Sequence, residues 1–134
     1  RIMNVIFKEK KTFKIFGSDY NTKDGTCIRD YIHVSDLARA HVKSLNYLDN
    51  NNEPLFYNLA TGHGHTVLDI ITEIEKQLGS KLNLEYAVRR NGDPSVVVSR
   101  SKHKSNIIGW EPRYSDIKII IASVINIYNL EKRH

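Results

Sequence analysis

The sequence predicts an α/β fold, and three observations carry the prediction. Short runs rich in β-branched and aromatic residues alternate with longer segments whose apolar residues recur at helical spacing. Clusters of Gly, Asn, Asp and Pro separate the two kinds of segment. The chain has 134 residues, 40% hydrophobic and 26% charged, which suits one ordinary domain and excludes a disordered tail.

Residues 1–11 read as the tail of a helix, with Ile2, Val5 and Ile6 on one face. Residues 12–16 are a strand candidate, 17–25 a polar turn, and 27–34 a second strand. Ser35 is placed to cap a helix carrying Leu37, Ala38, Val42, Leu45 and Leu48, which the Asn run and Pro54 close. Residues 55–60 read as a buried strand. Thr66 and Asp69 stand in capping-box relation, with Asp in place of the usual Glu or Gln. The stripe Val67, Ile70, Ile71, Ile74 and Leu78 follows, and Gly79 stops it. Leu82, Leu84, Tyr86 and Val88 alternate as in a strand, and 96–98 form another. A helical turn over 102–108 ends at Gly109, and Pro112 marks a break. Ser115 is then placed to cap a last helix, with Ile117, Ile120, Ile121, Val124 and Tyr128 on one face.

Composition narrows the function. Twenty Lys and Arg against fifteen Asp and Glu leave a net charge of +5, compatible with an anionic ligand. The one tight basic run, 8–11, lacks the interleaved aromatics of a single-strand binder, so nucleic acid is not expected as a partner. Nor is a membrane: no apolar run approaches the roughly 20 residues a bilayer requires. The richest run, 117–127, is broken by Lys118, Ser123 and Asn126. A single cysteine, Cys27, excludes a disulfide framework and suits a reducing, cytoplasmic setting. The chain opens on Arg1, with its one methionine at position 3, which points to a piece of something longer.

Four places carry chemistry. Arg29 lies in a run of ionisable groups, Arg29-Asp30-Tyr31-Ile32-His33-Val34-Ser35-Asp36, and needs an anionic partner. That partner is either internal, Asp30 or Asp36, or a ligand. Arg89-Arg90-Asn91-Gly92-Asp93-Pro94 puts two guanidiniums and a carboxylate around a glycine turn. It suits either a solvated turn or a phosphate beside a diol. The Ala60–Thr66 stretch, with Gly62 and Gly64, is a tight turn into the Thr66 cap or an anion-binding loop; His63 and His65 there have no acidic or Cys cluster to complete a metal site. Phe16 is either core or a platform for a flat base.

The order of these places is informative. Lys14-Ile15-Phe16-Gly17-Ser18-Asp19-Tyr20, followed by Asp24-Gly25-Thr26-Cys27-Ile28-Arg29-Asp30-Tyr31-Ile32-His33-Val34-Ser35-Asp36-Leu37-Ala38, closely resembles UDP-glucose 4-epimerases. These are extended short-chain dehydrogenase/reductases. The likeness continues through Tyr57-Asn58-Leu59, Gly62-His63-Gly64, Arg89 to Pro94 and Gly109-Trp110-Glu111-Pro112. It implies the C-terminal, substrate-binding portion of such an enzyme, a single truncated α/β region over 1–134 without the N-terminal Rossmann region. By the same resemblance Lys14, Ile15 and Phe16 line a uracil pocket, with the strand backbone reading the base edge. Arg29 and Arg90 bind the diphosphate, Asp93 holds the ribose hydroxyls, and Val97 borders the sugar. Asp30, His33 and Asp36 are then structural.

The resemblance also implies NAD, UDP-glucose and UDP-galactose as ligands, a homodimer for the intact enzyme, and a separate N-terminal fragment as a conceivable partner. A non-catalytic UDP-sugar-binding remnant, or another nucleotide-sugar epimerase, dehydratase or decarboxylase, stands as the alternative. Ala60 replaces a common glycine, and Arg100 and His103 replace the family's usual Asp and Lys. The sequence holds no G-x-x-G-x-x-G, the turn on which these enzymes bind NAD. The Tyr-x-x-x-Lys spacing occurs twice, at Tyr114/Lys118 and Tyr128/Lys132, but the family's catalytic pair precedes everything matched here. The chain is therefore expected to hold UDP without turning over alone. Its apolar faces, deprived of the Rossmann sheet, are expected to stand open.

Overall fold

The structure, a computed structural model, describes residues 12–51, 53–99 and 106–131. Within them run β1 (Phe13–Phe16), β2 (Ile28–Asp30), α1 (Val34–Asn50), β3 (Gly64–Thr66), α2 (Val67–Leu78), β4 (Leu84–Ala87) and β5 (Val96–Val97). A 3₁₀ turn, Asn106–Ile108, and α3, Ile117–Glu131, complete the order. The α/β class is as expected.

Two small sheets organise the chain. β1 and β4 pair in parallel, Phe13 beside Leu84 through Phe16 beside Ala87. A parallel pair requires a crossover, and everything from residue 17 to residue 83 serves as one. In the second sheet β2 lies between β3, antiparallel, and β5, parallel. This places Arg29 opposite His65 on one side and Val97 on the other.

α2 forms where its sequence says it should. The Thr66 hydroxyl accepts from the Asp69 N–H at 3.1 Å, and the Asp69 carboxylate accepts from the Thr66 N–H at 3.0 Å. Gly79 ends the helix at φ 67°, a left-handed conformation that costs glycine little. Ile74 then packs with Ile121 and Ile125 of α3, flanked by Ile70, Leu78, Ile117, Val124 and Tyr128. A second core joins Ala40, Ile108 and Trp110, with Ile32, Tyr47 and Tyr57 against it.

Several expectations need correction. The second strand shrinks to Ile28–Asp30, because its pairing with β3 and β5 ends at the Asp30–Gly64 and Arg29–Val97 pairs. The cap is His33, not Ser35: its Nδ1 accepts from the Ser35 N–H at 3.0 Å. Its Nε2–H donates to the Ser123 hydroxyl, also at 3.0 Å, which ties α1 to α3. Ser115 likewise is not the cap of α3. Asp116 accepts from the Lys118 N–H at 2.8 Å, while the Ser115 hydroxyl donates to Asp36 at 2.7 Å. Residues 55–60 join no sheet among the described residues, and Phe56 is 84% exposed. β3 stands where a tight turn or anion-binding loop is expected: Gly64 has no side chain to signal a strand, and its bare Cα is where Ile28 and Val98 pack.

The apolar stripe of α1 also faces outward. Asp36 and Ala40 are its buried residues, whereas Leu37, Val42, Leu45 and Leu48 are exposed. Asp36 sets that orientation. Its carboxylate accepts from the Arg113 and Tyr114 N–H groups, the Ser115 hydroxyl and Arg39, and Trp110 Nε1–H donates to its carbonyl. The expected helix over 1–11 lies outside the described residues, as do Arg100, His103 and Lys132.

Candidate functional site

The site is built on the middle of β2 and the turn after β4. Arg29 Nη1 donates to the Ile28 carbonyl at 2.8 Å, and Nη2 donates to the Asp93 carboxylate. Both side chains are about three-quarters buried, with relative exposures of 23% and 27%. The internal partner of Arg29 is therefore neither Asp30 nor Asp36. Asp30 instead accepts from the Thr61 hydroxyl at 2.5 Å and from the Gly62 N–H at 3.0 Å, pinning the loop before β3.

Asp93 closes a turn that also carries Arg90. Its N–H donates to the Arg90 carbonyl at 3.2 Å, and Gly92 takes the left-handed φ of 77°. The Arg90 guanidinium lies over the Phe16 ring, 3.9 Å from its centroid. Next to it, Arg89 lies 4.2 Å from the centroid of Tyr20. Arg89 Nε donates to the Asp19 carboxylate at 2.6 Å, and the Tyr20 hydroxyl donates to the Asp93 carbonyl at 3.3 Å. The hydrogen bond from Arg89 holds the Asp19 carboxyl below the ordinary carboxylate range.

Of the expected site residues, Phe16, Arg29, Arg90 and Asp93 are thus linked through successive contacts. Val97 stands beside Arg29 in the sheet and is half exposed. Lys14 and Ile15 are not joined to them by side chain. Ile15 is 1% exposed, so its side chain belongs to the core. Lys14 pairs with Glu85 at 3.0 Å on the exposed face of the β1–β4 sheet. Among the described residues β1 pairs with β4 alone, which leaves its other backbone edge open. A cleft of about 850 Å³ adjoins the site, with Arg29, Asp30, His41, Tyr57, Asn58 and Val97 on its walls.

The arrangement has the chemistry for a nucleoside diphosphate. Two guanidiniums can share a diphosphate, a carboxylate can accept from a vicinal diol, and an aromatic face can take a base. Each group already has a substitute partner within the protein, so a ligand exchanges contacts instead of uncovering bare charge. The same residues do not fit a dinucleotide cofactor. α1 is capped by His33 and α2 by Thr66 and Asp69, and a Cβ at Gly64 would meet Ile28 and Val98. A dinucleotide pyrophosphate needs an open helix start and a glycine that admits the phosphate, not side chains.

Comparisons with known proteins bear on the fold that carries this geometry. Residues 2–60 match the model of the NAD dependent epimerase/dehydratase family. A UDP-glucose 4-epimerase of Rhizobium meliloti (strain 1021) is 45% identical over 117 residues, covering 87% of this chain and 35% of that protein. A crystal structure of UDP-glucose-4-epimerase from Stenotrophomonas maltophila, with bound NAD and formylated UDP-arabinopyranose, superposes with a TM-score of 0.92. The identity is 33%, over 98% of this chain and 39% of that one. The enzyme from Bifidobacterium longum, in complex with NAD+ and UDP, gives a TM-score of 0.87 at 35% identity, over 97% and 38% of the two chains.

The chain is thus similar to UDP-glucose 4-epimerases over most of its own length. It spans little more than a third of the length of the family members it matches. Its α/β fold is the one found in those epimerases. Asp19 and Tyr20 join the site without a role read from sequence, and Arg89, expected as one of two guanidiniums at the glycine turn, is bound to them. The available signal is the doubling of arginine at 89 and 90 together with two aromatic residues, Phe16 and Tyr20, in one earlier segment.

Proposed function

We propose that this chain is the UDP-holding part of a UDP-glucose 4-epimerase acting on UDP-glucose and UDP-galactose. Uracil lies against Phe16 and the backbone of β1 at Lys14 and Ile15, Arg29 and Arg90 hold the diphosphate, and Asp93 accepts from the ribose hydroxyls. Val97 borders the sugar. NAD, bound outside these residues, would supply the hydride chemistry at the sugar, and another segment would supply the proton-transfer groups. The chain alone then binds without turnover.

The observation that carries this reading is the linked set Phe16–Arg90–Asp93–Arg29. It supports the reading because side chains suited to a base, a diphosphate and a diol stand in one continuous series. The Arg29–Asp93 pair is partly solvent-accessible, so Arg29 can pass from the carboxylate to a phosphate while Asp93 turns to the ribose. Titration calorimetry of the purified chain with UDP tests it: heat with one-to-one saturation is expected. Absence of heat overturns the binding assignment, and formation of UDP-galactose from UDP-glucose and NAD by the chain alone overturns the assignment of no turnover.

A further inference from the structure

Arg89 sits beside the proposed diphosphate residue Arg90, yet its own contacts run the other way. Its Nε and Nη2 both go to Asp19, one to the carboxylate and one to the carbonyl, and its plane covers Tyr20. Tyr20 is 5% exposed and reaches the Asp93 carbonyl through its hydroxyl. Its own N–H is tied to the Gly25 carbonyl at 2.9 Å, which closes the segment on itself. Gly17, at φ 85°, leaves the room: a Cβ there would overlap the Tyr20 ring and lie 2.9 Å from Arg89 Cγ. Two neighbouring arginines thus stack on two rings of one segment, Arg89 on Tyr20 and Arg90 on Phe16.

We infer that Arg89, held by Asp19 and Tyr20, is a positioning residue that fixes the 89–93 turn so that Arg90 and Asp93 are preset for a nucleoside diphosphate. The inference rests on the UDP-binding reading. Arg89 touches no ligand in this scheme. It removes the freedom of the turn before binding, so less order has to be imposed when the ligand arrives. A guanidinium suits the task because its planar fork engages a carboxylate and a carbonyl together while stacking on a ring; an ammonium offers neither plane nor fork.

The test uses Asp19→Asn, Arg89→Met and Arg89→Lys, with two readouts. In calorimetry with UDP, Asp19→Asn and Arg89→Met should each weaken binding by about fivefold, and the double variant by no more than the stronger single one. Arg89→Lys should not restore it. In proton NMR without ligand, the upfield ring-current shift of the Arg90 δ-methylene over Phe16 should collapse in Asp19→Asn as in Arg89→Met. Arg89→Met weakening UDP while Asp19→Asn leaves both affinity and shift unchanged would mean direct ligand contact and overturn the inference. If the unaltered chain gives no heat with UDP, the binding reading fails. The NMR shift then decides the positioning role alone: persistence in both variants overturns it, collapse in both sustains it.

Discussion

The Arg29 guanidinium donates to the Asp93 carboxylate across 64 positions of sequence, joining the middle of β2 to the turn after β4. The pair is the hinge of the proposed binding step, because a diphosphate and a ribose would take over its two halves. Arg29→Met removes a phosphate partner and leaves Asp93 facing the diphosphate unneutralised. UDP affinity should fall by about tenfold or more in calorimetry. Asp93→Asn should weaken UDP more than 2′,3′-dideoxy-UDP, and equal losses for the two nucleotides would remove Asp93 from the ribose.

Phe16 and Arg90 are stacked but are assigned different parts of the ligand. Phe16→Ala should weaken uridine and UDP by the same factor, about fivefold or more. Arg90→Met should weaken UDP strongly and uridine hardly at all. The comparison of nucleoside with nucleotide separates base stacking from phosphate binding without any need for turnover.

Asp36 is fully buried and bonds to groups near the other end of the chain. Asp36→Ala strands two backbone N–H groups, a hydroxyl and the Arg39 guanidinium. The expected loss is about 3 kcal/mol in urea denaturation. A loss below about 1 kcal/mol would show that water replaces the carboxylate at little cost.

Acid should unfold the chain through a small set of carboxylates. For Asp36, burial alone would raise the pKa, but the Arg113 and Tyr114 N–H groups, the Ser115 hydroxyl and Arg39 hold it low. For Asp24, burial is outweighed by Thr66 and Thr26; for Asp69, by Lys23 and Thr66. Folded-state values below the unfolded ones mean that this stability is fully present above about pH 4, where unfolded Asp is ionised, and is lost as pH falls through the folded values. Thermal midpoints should be level from pH 7 to about pH 5 and drop below pH 4. The slope should diminish in Asp36→Asn.

The outward stripe of α1 predicts self-association. Leu45 and Leu48 are more than half exposed and lie on the same helix as exposed Leu37 and Val42. Leu45→Lys with Leu48→Lys should leave stability within about 0.5 kcal/mol, since little burial is lost. Sedimentation velocity should show less oligomer for this variant than for the unaltered chain.

Local signals were the legible part of the fold. The Thr66–Asp69 box, the stripe behind it and Gly79 are contained within one helix, and α2 matches them end to end. Signals that depend on distant partners misled. The segment 55–60 has strand composition, but composition supplies no neighbour to pair with. Ser35 and Ser115 have cap chemistry, yet His33 and Asp116 take those places and Ser115 is drawn to Asp36. At the candidate site the residue types and their order were visible. That Arg29 meets Asp93, and that Arg90 lies on Phe16, depends on sheet register and turn geometry that spacing does not encode.

Asp36 also sets a schedule for synthesis. Its nearest partner, Arg39, is three residues away, but the Arg113, Tyr114 and Ser115 groups lie 77, 78 and 79 positions later. As the ribosome extends the chain, the first turn of α1 must wait with a hydrated carboxylate until that final third emerges. The second core, which needs Ile108 and Trp110 against Ala40, waits with it. Such long-range closure is slow and leaves apolar surface open to wrong partners in the interval. Chains halted before residue 115 should therefore be the ones that nascent-chain chaperones hold longest.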